Sequence, residues 1–330
     1  MPKYRNNLPQ LQDKVFLTDG GMETYLVFKE GIELREFAAF ELINDKKGSE
    51  LLLDWFSRFA KVAVKEKAGF ILDSPTWRAS EIWGHKLGYS NSKLEDINRK
   101  SIELLERVRR SFENDNSPFV ISGTLGPKGD GYFPTQLLSE SEAESYHKRQ
   151  IKTFAESNAD MVAAYTMTYS KEAIGIVRAA NSLGIPVVIS FTVETNGNLP
   201  SGETLKEAVE CVDSATEGRV AYYMLNCAHP SHFQHVLNSE EPWLRRLKGI
   251  RANASSKSHK ELDESSTLDD GDPIQLGREY KALGDLVKNL NVLGGCCGTD
   301  YRHIEEICSA SSLSDVGTIG SPTGKEKAPS

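Results

Sequence analysis

Eight short apolar runs alternate with stretches of helical periodicity, and no other feature of this sequence restricts its fold as strongly. The runs are "VFLTDG" (15–20), "GFILDS" (69–74), "FVISGTLG" (119–126), "DMVAAYTM" (160–167), "PVVISFTV" (186–193), "VAYYMLNC" (220–227), "GIRAN" (249–253) and "NVLGGCCG" (291–298). Continuous apolar runs, as opposed to alternating ones, suit strands covered on both faces of a parallel sheet. Residues 51–68 carry apolar positions at helical spacing, and 139–158 open on Ser with early acids, as a helix start does. Residues 170–184, 204–215, 274–290 and 300–310 read as helices in the same way. A single-domain (β/α)8 TIM barrel is the economical solution for eight such units, since barrels typically span ~250 residues plus insertions. A doubly wound open sheet is the other arrangement with this alternation. The barrel is expected over residues 1–310. The last stretch, 311–330, "SSLSDVGTIGSPTGKEKAPS", has few large apolar residues and is expected to be a disordered tail.

The chain has 330 residues, 39% of them apolar, and a net charge of −8. The acidic balance, with no basic run interleaved with aromatics, excludes a nucleic-acid or anionic-membrane surface. The N-terminus, "MPKYRNNLPQLQDK", lacks the apolar stretch of a signal peptide. No run approaches the ~18 apolar residues of a membrane span. The five cysteines (Cys211, Cys227, Cys296, Cys297, Cys308) are few and odd in number, which suits a reducing, cytoplasmic setting better than a disulfide framework.

Catalytic groups of a barrel sit at the C-terminal ends of its strands. Run one ends in Asp19-Gly20-Gly21, run two in Asp73, run six in Asn226-Cys227 and run eight in Cys296-Cys297. Three cysteines therefore converge on one mouth, and three thiolates suit zinc at Zn–S distances of ~2.3 Å. Neighbours on a strand point to opposite faces. Cys296 and Cys297 thus share an ion only if the backbone leaves strand geometry, a freedom that Gly294, Gly295 and Gly298 provide. The other reading is a set of small core residues, since free cysteine is commonly buried. Cys211 and Cys308 fall in helical stretches and read as packing residues. His229 reads as a polar loop residue or a neighbour of the thiols, and His303 as a solvated helix position. The polar stretch 254–273 follows run seven, at the end of a barrel where loops cover active sites.

The segments "LTDGGMET", "LNCAHP" and "VLGGCCGT" resemble the signature segments of the homocysteine S-methyltransferase family. That family includes the betaine–homocysteine and S-methylmethionine–homocysteine methyltransferases and the homocysteine-binding module of cobalamin-dependent methionine synthase. "TWRAS", "TLGP" and "PVVISFT" follow the family in the same order, so the resemblance runs from about residue 15 to 310. It implies a (β/α)8 barrel with Zn2+ held by Cys227, Cys296 and Cys297. It implies that Asp19, Gly20 and Gly21 form the loop around the amino-acid part of a thiol substrate, with Asn226 preceding the first ligand. One position departs. Where the family carries a glutamate at the end of strand four to hold the substrate ammonium, this chain has Tyr165, so Glu23 or Asp73 would have to take over or the acceptor would differ.

Zinc with three cysteinates keeps a position open for a thiol and deprotonates it. Such a sulfur attacks a methyl group on a small cationic donor such as S-methylmethionine, S-adenosylmethionine or betaine. Positioning then matters more than a general base. The expected partners are a small thiol, homocysteine first, and a methyl donor, with methionine as product. A different small thiol, or a zinc-thiolate binding or redox-sensing role, are the alternatives. Trp77 and Arg78, beyond run two, lie either near the donor or in plain packing.

Overall fold

The computed structural model describes residues 1–134, 136–237 and 241–312. Eight parallel strands close in sequence order into a barrel: β1 (Phe16–Leu17), β2 (Gly69–Asp73), β3 (Phe119–Leu125), β4 (Met161–Met167), β5 (Val187–Phe191), β6 (Tyr223–Asn226), β7 (Leu247–Ala252) and β8 (Val292–Gly295). The seam between β8 and β1 pairs Phe16 with Val292 and Leu17 with Leu293. Continuous apolar runs are needed because both faces of each strand are covered. One set of side chains, including Phe16, Ile71, Val120, Met161 and Val188, fills the barrel interior. Their neighbours, among them Leu17, Phe70, Leu72 and Ile121, pack outward against the helices.

The helix Lys46–Lys65 buries Leu52, Trp55, Phe56 and Phe59, and its N-cap Asp45 accepts from the amide of Gly48. Capping boxes start the helices Glu140–Ala155 (Ser139 with Glu142) and Leu205–Thr216 (Thr204 with Glu207), satisfying amides that a helix start leaves open. The expected helix at 51–68 is displaced. It begins earlier, at Lys46, and stops at Lys65, because Lys67 turns left-handed (φ 54°) ahead of β2. The helix Pro273–Leu286 ends short of residue 290, where Val287 is extended. A long helix, Asn91–Phe112, follows β2 in a stretch that the periodicity had not marked.

The strand–helix alternation breaks once. Among the described residues between β6 and β7 stand a single turn, Pro230–Phe233, and the 3-10 turns Gln234–Val236 and Pro242–Arg246. Prolines at the starts of two of these short pieces favour entry into a turn without extending it. At the chain's end the helix Tyr301–Ser312 includes the first two residues assigned to a tail, and 313–330 lie outside the described residues. No helix among the described residues is long and apolar enough to cross a membrane.

Candidate functional site

Cys227 leaves β6 in a left-handed conformation, φ 57°, which is uncommon for a residue with a side chain. Its amide donates to Arg251 O at 3.2 Å and its carbonyl accepts from His259 Nε2 at 2.6 Å. After β8 the chain turns at once. Cys296 N donates to Ala252 O, while Thr299 N and Oγ1 both donate to Cys296 O. The turn closes through Gly298 at φ 81°. The three thiols meet there: Cys227 Sγ lies 2.7 Å from Cys296 Sγ and 3.8 Å from Cys297 Sγ, and all three sit within 4.8 Å of one another.

Only Gly298 supplies the backbone freedom expected of the three glycines. Gly294 and Gly295 are needed for close packing. A Cβ on Gly294 would lie 1.8 Å from Thr18 Oγ1, and one on Gly295 would lie 2.1 Å from Thr299 Oγ1. Gly20 and Gly21 serve the same purpose from the other side of the seam. A Cβ on either would stand 2.6 Å or less from Thr299 O or Cys296 O, and Gly21 N donates to Thr299 O.

The donor set fits a thiophilic ion. Tetrahedral zinc at Zn–S ~2.3 Å has sulfur–sulfur edges of about 3.8 Å, the Cys227–Cys297 separation. The cysteines are free thiols. Without an ion the triad shares its protons unevenly. S–H donors from Cys296 and Cys297 hold the Cys227 thiol well below its usual range, while Cys296 is pushed up to about 12 and Cys297 also upward. A cation is what lets all three ionise together. Tyr132, from the loop after β3, faces the group with its hydroxyl 3.4 Å from Cys227 Sγ, and its ring stacks on His259 at 4.2 Å. His229 caps the turn at Pro230 through Ser231 and faces Glu279, so it belongs to the loop.

Arg251, on β7, ties the expected substrate acids together. It donates to Asp73 Oδ2 (Nη1, 2.7 Å), Asp19 Oδ1 (Nη2, 2.6 Å) and Gly295 O (Nε, 3.1 Å). Trp55 Nε1 takes the second oxygen of Asp19, so that carboxylate is fully engaged within the protein. Tyr165 donates to Asp73 Oδ2 at 2.8 Å, and Arg251 lies over its ring. Burial pushes the Asp73 carboxyl up to about 6 against the pull of Arg251. Asp73 Oδ1 remains buried without a partner. Asn226 is a clamp: its Oδ1 accepts from Thr166 N and Ser190 Oγ, and its Nδ2 donates to Thr166 Oγ1. It thereby holds Thr166 at φ 62°, a strained angle for a β-branched residue. Glu23, in the first turn of the helix Met22–Phe28, keeps its carboxylate free of ion pairs with described residues, and burial raises it to about 7.

The three thiols, Tyr132, Tyr165, Asn226, Arg251 and the acids Asp19, Glu23 and Asp73 line one cavity of about 520 Å3, open at the C-terminal ends of the strands. Sequence reasoning found the thiols, the acids and Tyr165. It missed the role of Arg251, although a lone arginine in the otherwise apolar "GIRAN" run was a signal that acids must converge on it. It missed Tyr132, which only loop folding brings near the thiols. His303 is fully buried, not solvated: its Nδ1 accepts from Asp300 N and its Nε2 donates to Asp270 O, pinning the 254–273 loop. Cys308 is a packing residue as expected, but Cys211 is exposed, on the outer face of its helix.

Homocysteine S-methyltransferase 2 of Arabidopsis thaliana is 22% identical over 268 residues, 73% of this chain and 78% of its own length. Selenocysteine Se-methyltransferase of Brassica oleracea var. italica is 22% identical over 266 residues, 73% and 75% of the two chains. The solved oxidized form of the homocysteine methyltransferase MmuM from Escherichia coli shares the fold, with a TM-score of 0.75 at 17% identity over 93% of this chain and 99% of that one. The sequence profile described as Homocysteine S-methyltransferase matches residues 16–311, and the chain belongs to that family.

Proposed function

We propose that this protein is a zinc-dependent methyltransferase that transfers a methyl group from a small cationic donor to the thiol of homocysteine, giving methionine. The convergence of Cys227, Cys296 and Cys297 at the base of the cavity carries this reading. These three cysteines would hold the ion. Zinc, when bound, supplies an open coordination position at which a substrate thiol ionises at neutral pH.

The chain's own residues do the rest. Arg251 offsets one of the two negative charges of Asp19 and Asp73, so the cavity repels a thiolate less than two free carboxylates would. Glu23 is the carboxylate left to receive a substrate ammonium, in place of the acid that Tyr165 replaces. Tyr132 covers the thiols on the cavity side and has to yield for a substrate sulfur to reach them. A displacement of this kind requires alignment of sulfur and methyl more than proton transfer. A reducing compartment such as the cytoplasm keeps the three thiols available.

Protein purified without added metal should carry about one zinc per chain and turn over homocysteine with one of S-methylmethionine, S-adenosylmethionine or betaine. The Cys296→Ala/Cys297→Ala double variant should lose both. Full zinc retention in that variant would overturn the ligand assignment. Turnover of other small thiols in preference to homocysteine would move the acceptor and leave the chemistry. A metal-free protein whose thiols cycle with oxidant would favour redox sensing, for which the 2.7 Å approach of Cys227 and Cys296 is the supporting observation.

A further inference from the structure

Arg78 follows β2 in "SPTWRAS" and lines the cavity wall. Its guanidinium lies against two indoles, with Cζ 4.2 Å from the Trp77 ring centroid and 3.4 Å from that of Trp83. Both rings are anchored: Trp83 Nε1 donates to Pro127 O, and Trp77 Nε1 to Tyr165 O. Gly126 makes room for Trp77, since a Cβ there would lie 2.4 Å from Trp77 O.

The side chain is only 9% exposed, yet it makes no hydrogen bond or ion pair with a described residue, and Nε and Nη1 are buried without partners. The acids around it are otherwise engaged or too far. Glu36 pairs with Lys86 at 2.7 Å, Asp130 accepts from the amides of Tyr132 and Phe133, and Glu23 lies beyond ion-pair distance. Burial lowers Arg78 to about 10, which leaves it charged at neutral pH. A buried cation with no acceptor is unfavourable unless a ligand supplies one.

We propose that Arg78 is the carboxylate-binding residue of this cavity and takes the anionic group of one of the two small substrates. The inference rests on the reading that a thiol and a methyl donor meet here. The indoles contact the guanidinium without accepting its in-plane N–H donors, and the unpartnered Nε and Nη1 are donors of the kind that a planar carboxylate matches. The surrounding acids disfavour a polyanion and suit a zwitterion, whose cationic end they attract while Arg78 takes its carboxylate. The carboxylate belongs either to the thiol acceptor or to the methyl donor.

The test compares ligand pairs on zinc-loaded wild type, Arg78→Met and Arg78→Lys by calorimetry and by KM. One pair is homocysteine and 3-aminopropane-1-thiol; the other is S-methylmethionine and (3-aminopropyl)dimethylsulfonium. Wild type should prefer the carboxylate-bearing member of one pair by roughly tenfold or more. Arg78→Met should abolish that preference in that pair alone, and Arg78→Lys should keep part of it. The pair that collapses identifies the source. Equal weakening of both members, or unchanged ratios in both pairs, overturns the proposal. Lost binding preference without any wild-type turnover defeats the functional reading alone, whereas turnover with unchanged ratios defeats only the role of Arg78. Zinc content and melting temperature verify that each variant folds. If Arg78→Met does not, a ratio in Arg78→Lys equal to that of wild type overturns the proposal, because lysine lacks the planar fork.

Discussion

A half-buried carboxylate without an ion-pair partner exposes the conflict between stability and binding most directly, and Glu23 is such a group among the described residues. Its carboxyl is raised from 4.5 to about 7, chiefly by burial. The folded state therefore binds a proton that the unfolded chain releases, and stability falls as pH rises from 4.5 through 7. Glu23→Gln removes that burden. The variant should match wild type near pH 4 and gain about 1–2 kcal/mol above pH 7, the raw shift being discounted because Glu23 is partly exposed. If Glu23 receives the substrate ammonium as proposed, the same change should raise the KM for homocysteine roughly tenfold by removing a charge-assisted bond. Melting curves across pH, with steady-state kinetics at pH 8, check both halves. A stability difference that does not vary with pH would show that Glu23 is not ionised against its surroundings.

At the scale of elements, the loops at the strand ends matter more than the strands. The "GGCCG" segment was legible as a turn bringing two thiols together, but the reason for its first two glycines was not. Gly294 and Gly295 lie inside β8 and make contact with Thr18 and Thr299. That is a tertiary fact, which local conformational preference does not encode. Gly294→Ala should lower stability by several kcal/mol, because a methyl group there overlaps a fixed hydroxyl with no space to move. It should also displace the thiols, so that zinc content falls with the melting temperature. Substitution of Gly129, where a Cβ meets nothing within 4 Å, should do neither. The periodicity gave most strands and helices for a plain reason: each needs an apolar face wherever it packs. It overstated the β6–β7 connection, where prolines and polar residues build short turns, and it could not place Arg251 or Tyr132, whose partners lie far away in sequence.

For the whole molecule, the site is carried by a barrel whose core clusters do not include the three thiols as a unit. Removing zinc with a chelator should therefore leave the far-UV circular dichroism of the barrel in place. It should lower the melting temperature by several degrees, as loss of a ligand held at a thousandfold over its dissociation constant is worth about 4 kcal/mol. Collapse of the secondary structure on chelation would mean that the ion is structural.

The seam between β1 and β8 has a further consequence for how the protein is made. The first strand contributes just two paired residues, Phe16 and Leu17, and its neighbour is the last strand of the chain. Two of the three thiols, and the backbone against which Gly20 and Gly21 dock, come from that last strand and the turn after it. During synthesis β1 has β2 as a partner early, but its second partner, β8, exists only once residues 292–295 have been made. Capture of the proposed ion would accordingly be a late event, one that reports closure of the ring of strands. A chain that terminates before Val292 keeps seven of the eight strands, leaves two sheet edges open to other chains, and has one of the three thiols with which to hold an ion.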